Sequence, residues 1–176
     1  QQVCDWVLAP ADVSHSVEVM AYNIAASLLT ELNYVGVIAI EFFYGSNGLL
    51  VNEIAPRTHN SAHFSIEACS SSQFDQQLCI AAGIQVPNPT LIVPGALMVN
   101  LIGLSEGVAS PLEDRLRQLN EVEGAHLHWY DKSKEITGRK LGHITLLLYE
   151  DDPLKRREDA LKGLERIRSI WPMNMG

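Results

Sequence analysis

Glu41 and Glu53 carry the first chemical signal in the chain. They flank the tetrapeptide Gly45-Ser46-Asn47-Gly48, which separates two β-rich apolar runs at residues 34–44 and 49–55 and reads as a hairpin turn. In a hairpin centred on Asn47, paired positions sum to 94, and 41 and 53 are such a pair. The two carboxylates then face each other on one side of the sheet, with Cβ atoms about 5 Å apart. Like charges so placed repel, and their strands are otherwise apolar (Val37, Ile38, Ile40 and Phe42; Leu49, Leu50, Val51 and Ile54). A hard cation such as magnesium, shared with substrate phosphates, relieves the repulsion, and Asn52 adds an amide oxygen beside the pair. The competing reading is that both glutamates face solvent, and a slip of one residue at the turn would undo the pairing.

Directly after Glu53 comes Ile54-Ala55-Pro56-Arg57-Thr58-His59-Asn60-Ser61-Ala62-His63. Arg57 is a rigid bidentate donor for phosphate or carboxylate. His59, Asn60, Ser61 and His63 crowd further polar groups into the same loop. Behind paired carboxylates this reads as the rim of an anion-and-metal site; alone it reads equally as a hydrogen-bonded connection. The four-residue spacing of His59 and His63 raises zinc, but no third ligand or helical pattern accompanies it. A second cluster joins Lys132, Lys134, Arg139 and Lys140, with His143 just beyond. It is either a solvated turn or a phosphate clamp in which Gly138 lets the backbone come close and Arg139 and Lys132 converge.

The elements that position these groups follow from periodicity. Val17, Met20, Ile24, Leu28 and Leu32 form a helical stripe from Ser14 or Ser16 to about Asn33. After the hairpin and an irregular stretch at 56–70, a short helix is expected at 72–82. Residues 84–94 hold Pro87, Pro89 and Pro94 and mark a linker. Beyond it come a strand at 96–102, a helix opening with the capping-box pattern Ser110-Pro111-Leu112-Glu113, strands at 125–130 and 142–149, and a helix at 152–170. The order is mixed α and β, in two units joined near residue 90.

Composition bounds the function. The chain has 176 residues, 21 Asp+Glu against 13 Lys+Arg, and a formal net charge of −8. That balance argues against a general nucleic-acid binder, and no run of about 18 uncharged apolar residues is present to cross a membrane. Cys4, Cys69 and Cys79 are odd in number and widely spaced, which suits thiols in a reducing cytoplasm better than disulfides. Without an initiator Met or a basic leader, the chain reads as part of a longer one.

The segments Gly36-Val37-Ile38-Ala39-Ile40-Glu41-Phe42-Phe43, Leu50-Val51-Asn52-Glu53-Ile54-Ala55-Pro56-Arg57 and His59-Asn60-Ser61 resemble the metal-binding end of an ATP-grasp ligase. Ser72-Gln73-Phe74-Asp75-Gln76 and Gly138-Arg139-Lys140-Leu141-Gly142-His143 extend the resemblance to the 5-(carboxyamino)imidazole ribonucleotide synthase family. It implies an α/β fold of α+β type. Residues 1–90 would be the C-terminal portion of an ATP-grasp domain, with antiparallel sheet and helices, and residues 91–176 a small mixed α/β C-terminal domain. It also implies ATP and magnesium as cofactors, with aminoimidazole ribonucleotide and bicarbonate as substrates. Glu41 and Glu53 would hold magnesium, and Asn52 and Glu53 would face ATP. Arg57, His59 and Asn60 would surround bicarbonate and the carboxyphosphate made from it, while Lys132 and Arg139 would take the ribonucleotide phosphate. A cytoplasmic homodimer is implied, with the downstream mutase as a further partner.

Three positions depart from the family pattern: Ala62 where Gly is common, and Gln77 and Cys79 where His and Arg are frequent. The family's lid lysines, glycine-rich loop and adenine-gripping residues have no counterpart in these residues, so the chain alone is expected to bind ATP weakly and turn over nothing. The rivals are another ATP-grasp ligase, such as a formate-dependent glycinamide ribonucleotide transformylase or a biotin carboxylase, and a non-catalytic assembly module.

Overall fold

The computed structural model describes residues 3–105, 107, 110–132 and 135–173. Their elements are β1 (Trp6–Ala9), α1 (His15–Leu32), β2 (Ala39–Gly45), β3 (Gly48–Ala55), α2 (Ser65–Ala68), α3 (Gln73–Ala82), β4 (Gly95–Ile102), α4 (Leu112–Asn120), β5 (Ala125–Trp129), β6 (Lys140–Leu148) and α5 (Pro153–Ile170). β2 and β3 form an antiparallel hairpin, and the other strands form an antiparallel sheet ordered β1-β4-β6-β5.

One face of the larger sheet carries the apolar core. Leu97, Val99 and Leu101 of β4 and Ile144 and Leu148 of β6 meet Leu119 of α4, Ala160 and Ile167 of α5, and Trp171. Trp171 is wholly buried, so its indole N–H needs a partner; it donates to the Ile102 carbonyl at 2.8 Å. The opposite face is different in kind. Asn100 of β4, His143 of β6 and His128 of β5 lie directly opposite one another, and Met98 pairs with Thr145. Asn100, His143 and Thr145 are buried, covered by the segment that contains α2.

Several local expectations shift. β2 begins at Ala39 because residues 34–38 take an irregular path through Gly36 (φ 150°), where the Val37 N–H is taken by Gln77 Oε1 at 3.1 Å. On α1 the half-buried stripe is Val17, Ala21, Ile24, Ala25, Leu28 and Leu29; Met20 and Leu32 fall outside it and are exposed. The expected capping box at Ser110 does not form, since α4 starts one residue late with Pro111 as its cap. A capping box instead opens α3. There Ser72 Oγ accepts from the Asp75 N–H, and Asp75 accepts from the Ser72 N–H at 2.9 Å. β1 precedes the proline-rich segment yet pairs with β4, which follows it. Residues 84–94 hold no helix or named strand, but Cys69 bridges Leu91, and the Ser70 N–H donates to the Thr90 carbonyl at 2.8 Å. The three cysteines are free thiols.

Candidate functional site

The hairpin opposes Glu41 to Glu53, as the turn arithmetic predicts, but by a different route. Its loop is Ser46-Asn47, closed by Gly45 opposite Gly48, so pairs near the tip sum to 93 (Phe43 with Leu50, Phe42 with Val51). A β-bulge between Glu41 and Phe42 then adds one residue to β3 and restores the sum to 94. The extra residue is Asn52. Its side chain lies beside the pair, with Nδ2 donating to Glu41 Oε2 at 3.1 Å. The bulge thus brings two carboxylates and an amide onto one side of a two-stranded ribbon. The set offers hard oxygen donors, as magnesium prefers, and too few of them to enclose it without phosphate or water.

The loop after β3 is built to present His59. Asn60–Ala62 make one 3-10 turn capped by the His59 ring, whose Nδ1 accepts from the Ser61 N–H and faces Ser61 Oγ at 2.9 Å. That leaves the Nε2–H directed to Glu41 Oε1 at 3.5 Å. Asn60 is committed elsewhere. It exchanges two hydrogen bonds with Asn100 (2.8 and 2.7 Å), and its Oδ1 also accepts from Lys140 Nζ at 2.9 Å. Arg57 turns onto its own loop, donating to the Thr58 carbonyl at 2.9 Å.

An open cleft of about 1230 Å³ runs along this side and is lined by Glu41, Asn52, Glu53, His59, Lys132 and Arg139 among others. Those six candidates are therefore brought together. Arg57 and Asn60 are not among the lining residues, and Lys134 lies outside the described residues. Lys132 donates to the Lys140 carbonyl. Desolvation, and after it the charge of Arg139, holds its pKa below the ordinary lysine value. The positive charge of Arg139 so close to the Lys132 ammonium makes this a place where an anion is welcome.

The loop that carries Arg139 is pinned from behind. Gly103 donates to the Arg139 carbonyl at 2.8 Å and accepts from the Gly138 N–H at 2.9 Å. A Cβ on Gly103 would sit 2.0 Å from the Ile136 oxygen, an impossible contact with backbone. Arg115, nearly buried, grips Glu135 with two hydrogen bonds (3.0 and 2.8 Å) while lying 4.2 Å over the Trp171 ring. Gly103→Ala is accordingly expected to cost about 2 kcal/mol or more and to loosen this loop. Urea unfolding reads the first effect, and weaker inorganic phosphate binding reads the second.

The polar face of the larger sheet carries a histidine seam. The His128 and His143 rings stack with centroids 4.5 Å apart, and His63 approaches His143 at 4.9 Å. His128 Nε2 meets Glu67 Oε1 at 2.5 Å, and His143 Nδ1 meets the Tyr130 hydroxyl at 2.8 Å. Burial, then the neighbouring His128 and His63, pushes His143 down to about 3. Burial, then Lys140, His128 and His59, pushes His63 down to about 4. Sequence reasoning passed over Asn100 and quoted Gln73 only within a family signature, yet the two hold the His59–His63 loop in place. Asn100 had a visible signal, being the one polar residue in Gly95–Ile102.

Residues 1–74 match the ATP-grasp domain family, and residues 96–157 match the phosphoribosylaminoimidazole carboxylase C-terminal domain. The N5-carboxyaminoimidazole ribonucleotide synthase of Synechococcus elongatus is 45% identical over 97% of this chain, which spans 43% of that protein. The crystal structure of the Thermus thermophilus synthetase superimposes with a TM-score of 0.79 at 38% identity, covering 98% of this chain and 44% of that one. The Aspergillus clavatus synthase in complex with ADP and 5-aminoimidazole ribonucleotide gives 0.77 at 29% identity, covering 94% and 44%. The chain thus spans under half the length of these relatives, and nearly all of its own length lies within the match. It belongs to the N5-carboxyaminoimidazole ribonucleotide synthase family, carrying the part in which an ATP-grasp domain runs into the C-terminal domain.

Proposed function

We propose that the protein to which this chain belongs uses ATP to join bicarbonate to the exocyclic amine of 5-aminoimidazole ribonucleotide. One observation carries the reading: the acidic pair Glu41/Glu53 and the cations Lys132 and Arg139 line the same cleft, as a ligase that handles two phosphorylated substrates at once requires. The Aspergillus clavatus relative holds ADP and 5-aminoimidazole ribonucleotide together. Glu41, Asn52 and Glu53 are hard oxygen donors suited to magnesium, which when bound neutralises phosphate charge. Lys132 and Arg139 bind the 5′-phosphate of the ribonucleotide.

Bicarbonate oxygen attacks the γ-phosphorus of ATP, releasing ADP and forming carboxyphosphate. The amine then attacks the carboxyphosphate carbon, phosphate leaves with the electrons of the C–O bond, and the nitrogen loses a proton. His59 presents an N–H where negative charge gathers beside Glu41, Asn60 anchors its loop from behind through Asn100 and Lys140, and Arg57 must swing from the Thr58 carbonyl to reach the bicarbonate. Residues 1–90 serve the metal and ATP phosphates, and residues 91–176 the ribonucleotide, with β1 reaching across to the second sheet. A homodimer, a downstream mutase as partner and a cytoplasmic setting belong to the same reading. The chain alone, with under half of its relatives' length, is expected to bind ATP weakly.

Phosphate release from ATP by the full-length protein tests this. Release is expected to require bicarbonate and aminoimidazole ribonucleotide together and to collapse when either is omitted. Equal release with formate and glycinamide ribonucleotide would point to another ATP-grasp ligase, and none with any substrate to an assembly module.

A further inference from the structure

We propose, resting on the ligase reading, that Gln73 is a positioning residue that holds His59 against Glu41 and keeps His63 as its neutral Nε2–H tautomer. Its carboxamide makes three contacts. Oε1 accepts from the His59 N–H at 2.7 Å, Nε2 donates to the His59 carbonyl at 2.9 Å, and the same Nε2 lies 2.8 Å from His63 Nδ1. The backbone N–H of His59 has no alternative but to donate, so the amide can be oriented only one way. Its second N–H must then point to His63 Nδ1, which accepts; the proton of that ring sits on Nε2. One side chain brackets a residue as a neighbouring β-strand would and sets the tautomer of another.

The support behind Gln73 is rigid. It is nearly buried at the first position of α3, in the turn closed by the Ser72–Asp75 capping box, and its own N–H donates to Ser65 Oγ at 3.1 Å. In front of it, the His59 ring caps the 3-10 turn and directs its Nε2–H to Glu41. The line of force runs from the capping box through Gln73 to His59 and on to Glu41. His63 is faced by the rings of Phe74 (5.5 Å) and His143 (4.9 Å), with Lys140, His128 and His59 as the nearby charged or titratable groups. None of these is an acid that would favour the imidazolium. Glutamate matches glutamine in shape but has no N–H to give, so it must meet the His59 carbonyl and His63 Nδ1 with lone pairs, and a proton on Nδ1 relieves the second clash.

The experiment compares the full chain with Gln73→Glu and Gln73→Asn by imidazole nitrogen NMR over pH, and measures turnover in the full-length protein. The wild-type His63 is expected as the Nε2–H tautomer at neutral pH. In Gln73→Glu it gains a proton on Nδ1 and titrates at least two pH units higher, and kcat falls tenfold or more with KM for the ribonucleotide within twofold. The shorter amide of Gln73→Asn restores the neutral tautomer only in part. A wild-type His63 carrying its proton on Nδ1, or an unchanged titration in Gln73→Glu, overturns the proposal. Should Gln73→Glu fail to fold, the wild-type tautomer decides alone. The NMR result stands even when the full-length protein rejects the ribonucleotide, so failure of the ligase reading and failure of this one are told apart.

Discussion

Glu53→Gln raises the thermal stability of the metal-free protein while weakening magnesium binding by about 10- to 100-fold. The two effects have opposite signs because one arrangement causes both. Glu41 and Glu53 are directly opposed on the hairpin, and like charges so placed destabilise a two-stranded ribbon by about 0.2–1 kcal/mol. Neutralising one carboxylate removes that repulsion. It also removes one of the hard anionic donors that a magnesium ion shared with phosphates requires. Glu41 is already supported by Asn52 and His59, so Glu53 is the carboxylate whose loss is least cushioned. Turnover in the full-length protein is expected to fall by about a hundredfold or more, as when a preorganised charge at a phosphoryl-transfer site is removed. Calorimetric melting without metal and magnesium titration with ATP present check the pair of outcomes. A melting temperature that falls, or magnesium affinity that holds, would show that the glutamates are solvent-facing bystanders.

Acidification unfolds the protein through the histidine seam. His63 and His143 have folded-state pKa values depressed to about 4 and about 3, below the ordinary imidazole value near 6.5. An unfolded chain therefore binds more protons than the folded one between those limits, and stability declines as pH falls through the window. Above about pH 6.5 both groups are neutral in both states and the contribution is flat. Within the window each group adds a slope of up to about 1.4 kcal/mol per pH unit. Glu67 beside His128 is the acid at the seam, and Tyr130 meets His143 as a neutral hydroxyl. His143→Phe keeps a ring against His128 but removes one titrating group. It is expected to flatten the slope by about half, and to cost about 1–3 kcal/mol near pH 7 because the Tyr130 hydroxyl loses its partner, a deficit that shrinks as pH falls. Urea unfolding at intervals from about pH 7 down to about pH 4.5 reads both quantities. An identical slope in the variant would place the acid sensitivity elsewhere.

The acidic pair was legible in the sequence because strand alternation and turn chemistry act over a dozen residues. Even so, the correct pairing rests on two departures that cancel, a tighter turn and a bulge at Asn52, neither of which the residue types announce. Helix starts were less secure. Ser110 carries the right pattern, yet Arg115 Nε takes its carbonyl at 2.9 Å in the packing around Trp171, and α4 begins later. Long-range pairing was the least legible. β1 has four residues, and its partner lies beyond the proline-rich linker. The seam of His63, His128 and His143 draws on three separate elements and has no local signature. Lys132 and Arg139 stood out as candidates because cations are conspicuous in an acidic chain; Gln73 was read only as part of the Ser72-to-Gln76 signature, because a lone glutamine announces no role.

The pairing of β1 with β4 also says how the molecule can be cut. Ala9 lies opposite Ala96, so the chain leaves the sheet and returns to it at adjacent points. Topologically, residues 10–94 are an insertion within what would otherwise be a simple β-hairpin. Closing so long an excursion costs about 2.5 kcal/mol more loop entropy than a five-residue turn, and it raises contact order, which slows folding. Excising the insertion and joining Ala9 to Gly95 through a short turn should leave a minimal domain with the Leu97-to-Trp171 core intact. The face it uncovers carries Asn100, His143 and Thr145, polar groups that water can satisfy, beside the apolar Met98, which it cannot. A folded excised domain would show that the metal-side hairpin is a guest in the sheet it interrupts, and an unfolded one that the sheet needs its cover.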